Sequence, residues 1–406
     1  MAEPRQVAEA MLARLDLDLV SCSELQTLWA GYGHICALEA RSRHDPSDDT
    51  QRLILKLISP PPPPVPQASL HQPVDEGHVR KMLSYQVEQF WYDELAPRLD
   101  PKVAVARCLA STRSRPFGDE GLKTATVLSD LRVNFPVAVN RSLTPCQVRA
   151  ALDWLARFHG SAWRWLPRDR DGFVGPPLHE VEKRGGDANA VRASGLWLNG
   201  GYTYLATRRR EYAALAADDA SEWSHAFCRP GADGQPPVAE QAAAFLAPGG
   251  GGERWQTCIH GDVKSENLFA TTTGDAVAFF DFQYVGLGLG VCDLAKLFTC
   301  SVPLQTFATD DEVVTDEAHL PMSRGERELL ERYRARLLQS QEEERSFSGY
   351  EWEDLVRHWE TALVDWCRFQ ASWGFWGNTD WLQGRVRDIL GDDGWREWLR
   401  QQRQAQ

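Results

Sequence analysis

The chain has 406 residues, 43% hydrophobic and 25% charged, with a formal net charge of −13. That balance excludes a disordered or collagen-like polymer as a description of the whole and fits one large domain or two lobes. The excess of acid argues against nucleic-acid binding through a basic face. One count stands out: 16 Trp against 16 Phe and 9 Tyr, eight of the Trp lying between Trp352 and Trp398. So many indoles predict a heavy core or an aromatic binding surface.

The nine Cys are odd in number and form no C-x-x-C pair or Cys/His cluster of the kind that holds zinc. Met1–Leu19 alternates charged and apolar residues like a helix, without the apolar core of a secretory leader. No run of about 18 uncharged apolar residues exists to span a membrane. The expectation is a reduced, soluble, cytoplasmic protein.

In chain order, Ala30-Gly31-Tyr32-Gly33-His34 falls between two strand-like runs. Leu53–Ile58 is apolar on both faces apart from Lys56 and predicts a buried strand carrying one cation. Pro60–Pro66 predicts a solvated loop, a polyproline ligand being the alternative. Lys81–Leu95 has helical spacing, with Tyr85, Gln89 and Tyr92 recurring every three or four residues. Thr124–Leu128 is a short β-branched run ended by Ser129-Asp130. Thr144-Pro145 starts a helix, with Thr as N-cap and Pro at the first position.

Pro230–Gly252, rich in Pro, Ala and Gly and ending in Gly249–Gly252, predicts a flexible insertion. Cys258–Ile259 and Ala276–Phe280 are short apolar runs that end at polar residues. Thr309–Leu320 is acidic and aperiodic. Ser323-Arg324-Gly325-Glu326 has capping-box form before a helix over Glu328–Leu338. Trp352, Trp359, Trp366 and Trp373, seven residues apart, predict one stripe of a helix running to about Phe369. Strands dominate the first third and helices the remainder.

The richest segment is His260–Leu297. Asp262 stands five residues before Asn267, and Asp281 follows at the end of an apolar run. Phosphoryl transfer from a nucleotide needs these groups: a carboxylate to orient the acceptor hydroxyl, an amide oxygen and a second carboxylate to hold Mg²⁺ against the phosphates, and a lysine to neutralise charge. A hairpin over Leu268–Phe280, turning at Thr273-Gly274-Asp275, would bring Asn267 and Asp281 side by side. A lone H-G-D is common in turns, and a lone Asp after an apolar run is often a helix cap. The joint pattern, H-G-D-x-x-x-x-N, a strand ending in Asp281 and then Asp293-Leu294-Ala295, is far more specific.

These motifs resemble the aminoglycoside phosphotransferase and choline kinase superfamily of small-molecule kinases, especially its ecdysteroid-kinase-like branch. The resemblance implies an α+β, protein-kinase-like two-lobed fold. Residues 1–130 would form a small antiparallel-sheet lobe with one main helix, and residues 131–406 a large, mostly helical lobe. It implies that Asp262 is the catalytic base and that Lys264 reaches the transferred phosphate. Asn267 and Asp281 would be the Mg²⁺ ligands, and His260 and Asp293 would support the loop.

Upstream, Lys56 would meet the ATP phosphates and pair with Glu88, whose helix carries the family's E-x-x-x-Y segment ending in L-x-P at Glu88, Tyr92, Leu95 and Pro97. Gly31 and Gly33 would belong to the phosphate-covering loop, although the full G-x-G-x-x-G pattern is absent. Val127-Leu128-Ser129-Asp130-Leu131 resembles the adenine hinge, and Ser129 and Leu131 would hold the base by their backbone. Leu155-Ala156-Arg157-Phe158-His159 resembles the L-A-x-x-H helix of the large lobe, with His159 in a packing role.

In this superfamily the terminal helices line the acceptor site. An aromatic cage there would hold a quaternary ammonium at about 0.5–2 kcal/mol per ring, and a flat sterol-like acceptor would also suit. Trp352, Trp359 and Trp366 are expected in the core; the glycine-flanked Trp373, Trp376 and Trp381 are the pocket candidates. The expected reaction is transfer of the γ-phosphate of ATP to a hydroxyl of a small molecule: an amino alcohol, a sterol-like or an aminoglycoside-like acceptor. A protein kinase is disfavoured, since no H-R-D, D-F-G or A-P-E occurs. An inactive nucleotide-binding scaffold is disfavoured by the presence of Lys56, Asp262, Asn267 and Asp281 together.

Overall fold

The computed structural model describes residues 2–44, 49–61, 74–113, 124–163, 165–166, 169–187, 191–231, 234–307, 319–339 and 349–404. Most of the proline run, from Pro62 onward, and the acidic stretch 309–318 lie outside these. The architecture is mixed α+β, with an antiparallel sheet in the amino-terminal part and helices dominating afterwards, as the residue pattern predicts. The chain divides into two compact units, Met1–Leu99 with Val105–Pro136 and Pro177–Leu196, and Asp100–Ala104 with Val137–Pro176 and Trp197–Gln406.

The first unit opens with helix α1 (Ala2–Ala13) and strands β1 (Leu17–Thr27), β2 (Gly33–Ser42) and β3 (Gln51–Ile58). The helix expected over Met1–Leu19 therefore stops early: Asp16 takes a left-handed φ of 57°, and Leu17 begins a strand. Helix α2 (Glu76–Phe90) follows, capped by Asp75, whose side chain accepts from His78 N at 3.2 Å. Its continuation, Trp91–Leu95, widens into a π turn before Pro97 ends it. Strands β4 (Cys108–Ser111) and β5 (Thr124–Ser129) complete an antiparallel sheet of order β1-β2-β3-β5-β4.

Strand β3 is paired on both edges, which places Lys56 opposite Ile35 on one side and Thr126 on the other. The period-two alternation sends Leu53, Leu55 and Leu57 into a core with Val7, Ala8, Met11 and Leu12 of α1. Lys56 therefore faces the opposite side of the sheet, where α2 supplies its partner.

The second unit contains β6 (Val137–Ala138) and α3 (Pro145–Ala162). The capping box of α3 is complete, with Thr144 Oγ1 accepting from Gln147 N at 3.3 Å and Gln147 Oε1 accepting from Thr144 N at 2.9 Å. Helix α4 (Pro177–Lys183) belongs to the first unit. Next come α5 (Arg209–Ala216), α6 (Glu222–Cys228), α7 (Val238–Leu246) and the strands β7 (Gln256–Ile259), β8 (Leu268–Ala270), β9 (Val277–Phe279) and β10 (Gly286–Leu289). Helices α8 (Gly290–Cys300), α9 (Arg324–Gln339), α10 (Trp352–Trp373), α11 (Thr379–Gly391) and α12 (Asp393–Gln404) complete it.

The part of Pro230–Gly252 over Val238–Leu246 is no flexible insertion but helix α7, whose Ala239, Ala242 and Phe245 are buried. The glycines after it make a close turn, for a Cβ on Gly250 would lie 2.2 Å from Ala244 O. The capping box expected at Ser323 is half present. Ser323 Oγ accepts from Glu326 N at 3.0 Å, but the Glu326 carboxylate is fully buried and accepts from Arg385 Nε at 3.0 Å and Trp359 Nε1 at 2.7 Å. A buried ion pair outcompetes a local cap.

Trp359 and Trp366 of α10 are core residues, at 0% and 5% exposure, while Trp352 is half-buried with Arg327 over its ring. His358 lies beside them, bonded to the Tyr350 hydroxyl at 2.5 Å and packed on Phe245 and Trp398. Burial lowers its pKa from 6.5 to about 3. With the folded value depressed, stability is full above the unfolded value and is lost as pH falls from about 6.5 towards 3. We predict that His358→Gln removes up to about 1.4 kcal/mol of this loss per pH unit. Thermal melts between neutral pH and pH about 4.5 should converge for variant and wild type; unchanged spacing of the melts would contradict the assignment.

Candidate active site

Strand β7 delivers the chain to a loop that begins at His260, and Asp293 in the first turn of α8 holds it there. The Asp293 carboxylate is wholly buried and accepts from His260 N at 2.7 Å, Gly261 N at 2.9 Å and His159 Nε2 at 3.2 Å. Burial alone would raise its pKa; the His159 bond and the nearby His260 and Lys296 outweigh this and hold it below the usual carboxylate value. His159 is thus more than a packing residue, because it links Asp293 to the Tyr333 hydroxyl, 2.8 Å from Nδ1.

The two bonds of His260 define its tautomer. Nε2–H donates to Phe280 O at 2.9 Å, and Nδ1 accepts from Asp262 N at 3.3 Å, which is the neutral imidazole. Burial pushes its pKa below the ordinary value, in agreement. Gly261 has φ 84°, and a Cβ there would lie 2.3 Å from Tyr284 O, so only glycine fits.

Asp262 Oδ2 accepts from Lys264 Nζ and from Asn267 Nδ2, both at 3.0 Å; the same amide donates to Asp262 O at 2.8 Å. Burial would lower the Lys264 pKa, but Asp262 at this distance raises it above the ordinary lysine value. Strands β8 and β9 pair Leu268 with Phe279, and Phe280 N donates to Asn267 O at 2.9 Å. This register places Asp281 beside Asn267, as the hairpin reading anticipates. Asp281 takes a left-handed φ of 66°, and its Oδ1 accepts from Gln283 Nε2 at 2.6 Å.

In the first unit, Lys56 Nζ lies 2.5 Å from Glu88 Oε2, both side chains being largely buried. The Tyr85 ring faces the ammonium at 5.7 Å. Gly31 lies in the β1–β2 turn and Gly33 opens β2; in the turn Gly31 N donates to Leu28 O at 2.9 Å and Tyr32 N to Trp29 O. These N–H groups are spent within the turn. Gly33 is required by close packing, since a Cβ would lie 2.0 Å from Leu57 O. Ser129 ends β5 with its N–H on Arg107 O and its hydroxyl accepting from Arg107 N, each at 2.9 Å. Leu131 opens a short turn capped by Asp130, whose carboxylate accepts from Arg132 N at 2.9 Å.

The tryptophan candidates divide. Trp381 is 2% exposed and packs on Phe307 at 4.7 Å and on Phe298, so it is core and not pocket wall. Its place on α11, one turn after the Gly377 break, turns it inward. Trp373 and Trp376 are 57% and 36% exposed. They adjoin a cluster the residue pattern did not reveal: Tyr202, Tyr284 and Phe369, with Tyr202 4.8 Å from Tyr284 and 6.1 Å from Phe369. Burial, then the Asp262 charge and Tyr284, raise the Tyr202 pKa well above its ordinary value, which ties this cluster to the loop that carries Asp262. Cys300, bonded to Trp376, is pushed up to about 11, chiefly by burial, with Asp262 also raising it. The buried Arg208 guanidinium lies 5.5 Å from the Tyr202 ring centroid, 5.8 Å from Phe369 and 5.1 Å from Trp373. No spacing rule links Arg208 to Phe369 across the chain, so sequence reading had no signal for it.

The model of the phosphotransferase enzyme family matches residues 45–339. The chain belongs to that family and is a phosphotransferase of the kinase kind; the match is to the family as a whole and assigns no ecdysteroid-kinase-like branch. A solved macrolide 2′-phosphotransferase type I is 12% identical, over 99% of this chain and 97% of its own, with a TM-score of 0.41. A choline/ethanolamine kinase family protein from Mesorhizobium loti is 12% identical over 99% of both chains, at 0.39. An amicoumacin kinase in complex with AMP-PNP and Ca²⁺ is 13% identical over 96% of this chain and 93% of its own, at 0.38. Comparison with curated proteins finds no match.

If Asp293 frames the loop, Asp293→Asn should release it. An amide cannot accept the His260, Gly261 and His159 donors together with the same charge-assisted strength, each such bond being worth about 1.5–3 kcal/mol. Hydrogen exchange at the His260 and Gly261 amides should accelerate at least tenfold relative to the α3 core; equal protection in the variant would refute the role.

Proposed function

We propose that this phosphotransferase moves the γ-phosphate of ATP to a hydroxyl of a small molecule, with Asp262 as the base. The observation that carries the reading is the meeting of Asp262, Lys264, Asn267 and Asp281 at one hairpin root. Asp262 Oδ2 is already occupied by Lys264 and Asn267, while Oδ1 has no partner among the described residues. Oδ1 is the atom that would take the acceptor proton, a role worth about 10²–10⁴ in rate. Lys264, held cationic by Asp262, is positioned to offset charge on the transferred group.

The donor set fits a hard divalent cation. Asn267 commits its amide hydrogens to Asp262, leaving its carbonyl oxygen as the ligating atom beside the Asp281 carboxylate. Two protein oxygens suit Mg²⁺, which retains waters and phosphate oxygens about itself. When bound, the ion would supply charge neutralisation at the phosphates. In the first unit we assign Lys56, oriented by Glu88, to the nucleotide phosphates, and the backbone around Leu131 to the base. The phosphate-loop role of Gly31 and Gly33 has less support, since the N–H of Gly31 and the intervening Tyr32 are used within the turn.

Tyr202, Tyr284, Trp373 and Trp376 are our acceptor-side residues. A flat, apolar, hydroxylated acceptor suits them better than a quaternary ammonium or amino sugar, because Arg208 already sets one positive charge against the Tyr202 and Trp373 rings.

A screen of hydroxylated metabolites for ATP-dependent phosphorylation, followed by ³¹P NMR, tests this reading. Asp262→Asn should lower kcat on any acceptor found by about 10²-fold or more with little change in KM. Turnover within threefold of wild type would overturn the assignment of the base.

A further inference from the structure

A cavity of about 240 Å³ in the second unit is lined by Asn199, Gly200, Thr203 to Ala206 and residues of α7, α8 and α10. Asp262, Lys264, Asn267 and Asp281 are not among its lining residues, so it is separate from the carboxylates of the catalytic loop. Its walls are mostly apolar, with Leu205, Ala243, Ile259 and Ala362 among them.

The polar groups on those walls do not balance. Lys296 is 6% exposed and makes no ion pair within 4.0 Å among the described residues. Its ammonium donates to the neutral Gly261 O and faces the Trp366 ring at 5.8 Å. The Trp366 indole N–H is buried and has no hydrogen-bond partner among the described residues. The carboxylates on the wall are already spoken for: Asp365 accepts from Arg368 Nε at 3.1 Å and Nη2 at 2.7 Å, and Glu240 accepts from Arg209 at 3.0 Å. One buried cation and one orphaned donor thus line the same apolar space. The Asp293 carboxylate, one turn earlier on α8, feels the Lys296 charge but is itself bonded to His260, Gly261 and His159, so the ammonium has no carboxylate partner in direct contact. A buried ammonium without one is costly, and so is an unmet indole N–H.

We propose that this cavity binds a small monocarboxylate, its oxygens accepting from Lys296 Nζ and Trp366 Nε1 and its apolar body lying against Ala243, Leu205 and Ala362. The volume falls below the usual range for drug-sized ligands, about 300–1,000 Å³, which limits the occupant to roughly a single ring or a short chain. Because Lys296 also donates to Gly261 O, the occupant shares one ammonium with the backbone of the catalytic loop.

Calorimetric titration of the full chain with benzoate tests the site, using benzyl alcohol as the neutral analogue. Saturable binding with a Kd below about 1 mM is expected, with benzyl alcohol at least tenfold weaker. Lys296→Met should weaken benzoate at least tenfold. Ala243→Phe fills the space while leaving both donors in place, and should do the same; it decides the question if the Lys296 variant fails to fold. No heat of binding at about 10 mM benzoate, equal affinity for benzyl alcohol, or wild-type affinity in Ala243→Phe would each overturn the proposal. The titration needs no turnover, so it can fail or succeed independently of the phosphotransfer reading.

Discussion

The candidate site depends on one buried carboxylate. Asp293 has no exposed surface and meets three donors, two of them the consecutive backbone N–H groups of His260 and Gly261. A charge so buried is tolerated only when hydrogen-bonded, so the loop and the carboxylate require one another. Its position in the first turn of α8 adds the favourable end of the helix dipole. Gly290 at the start of that helix gives the necessary room, since a Cβ there would lie 2.2 Å from Tyr333 Oη and 2.6 Å from His159 Nδ1.

From this anchor the remaining geometry follows through short links. Neutral His260 joins the Asp262 N–H to the Phe280 carbonyl, and so joins Asp262 to the strand that leads to Asp281. Asn267 binds both oxygens that Asp262 offers it, and the β8–β9 register brings Asp281 alongside. The left-handed φ at Asp281 is a departure that Asp tolerates better than most residues and that is typical of functional positions. Neutral and charged bonds therefore play different parts: His260 is held neutral to bridge backbone groups, while Lys264 is held charged beside Asp262.

Much of this was legible because it is local. H-G-D-x-x-x-x-N and the following hairpin lie within a short stretch of chain, and turn chemistry with strand pairing fixes their relation. Lys56 was legible because a lone cation in an apolar strand demands a partner, and Glu88 on the next helix supplies it. What escaped reading is long-range or depends on exact packing. Arg208 meets Phe369 and Trp373 only after α5 and α10 have packed, and no periodicity announces it. Trp381 looked like its neighbours Trp373 and Trp376 by its glycine-rich surroundings, yet the turn at Gly377, clamped by Asn378 N on Thr299 O at 2.8 Å, sends it into the core. Composition misled at Pro230–Gly252, where Ala-rich sequence after the prolines forms a buried helix. The return of Pro177–Leu196 to the first unit has no signal in residue pattern at all.

The most direct test of the account is ATP-dependent binding of Mn²⁺, followed by electron paramagnetic resonance, in wild type and in Asp281→Asn. Wild type should bind the ion only with nucleotide present, and the variant should weaken that binding by tenfold or more while its melting temperature without nucleotide stays unchanged. Wild-type affinity for Mn·ATP in Asp281→Asn would contradict the placing of the metal at the hairpin root, and with it the chemistry assigned to the loop.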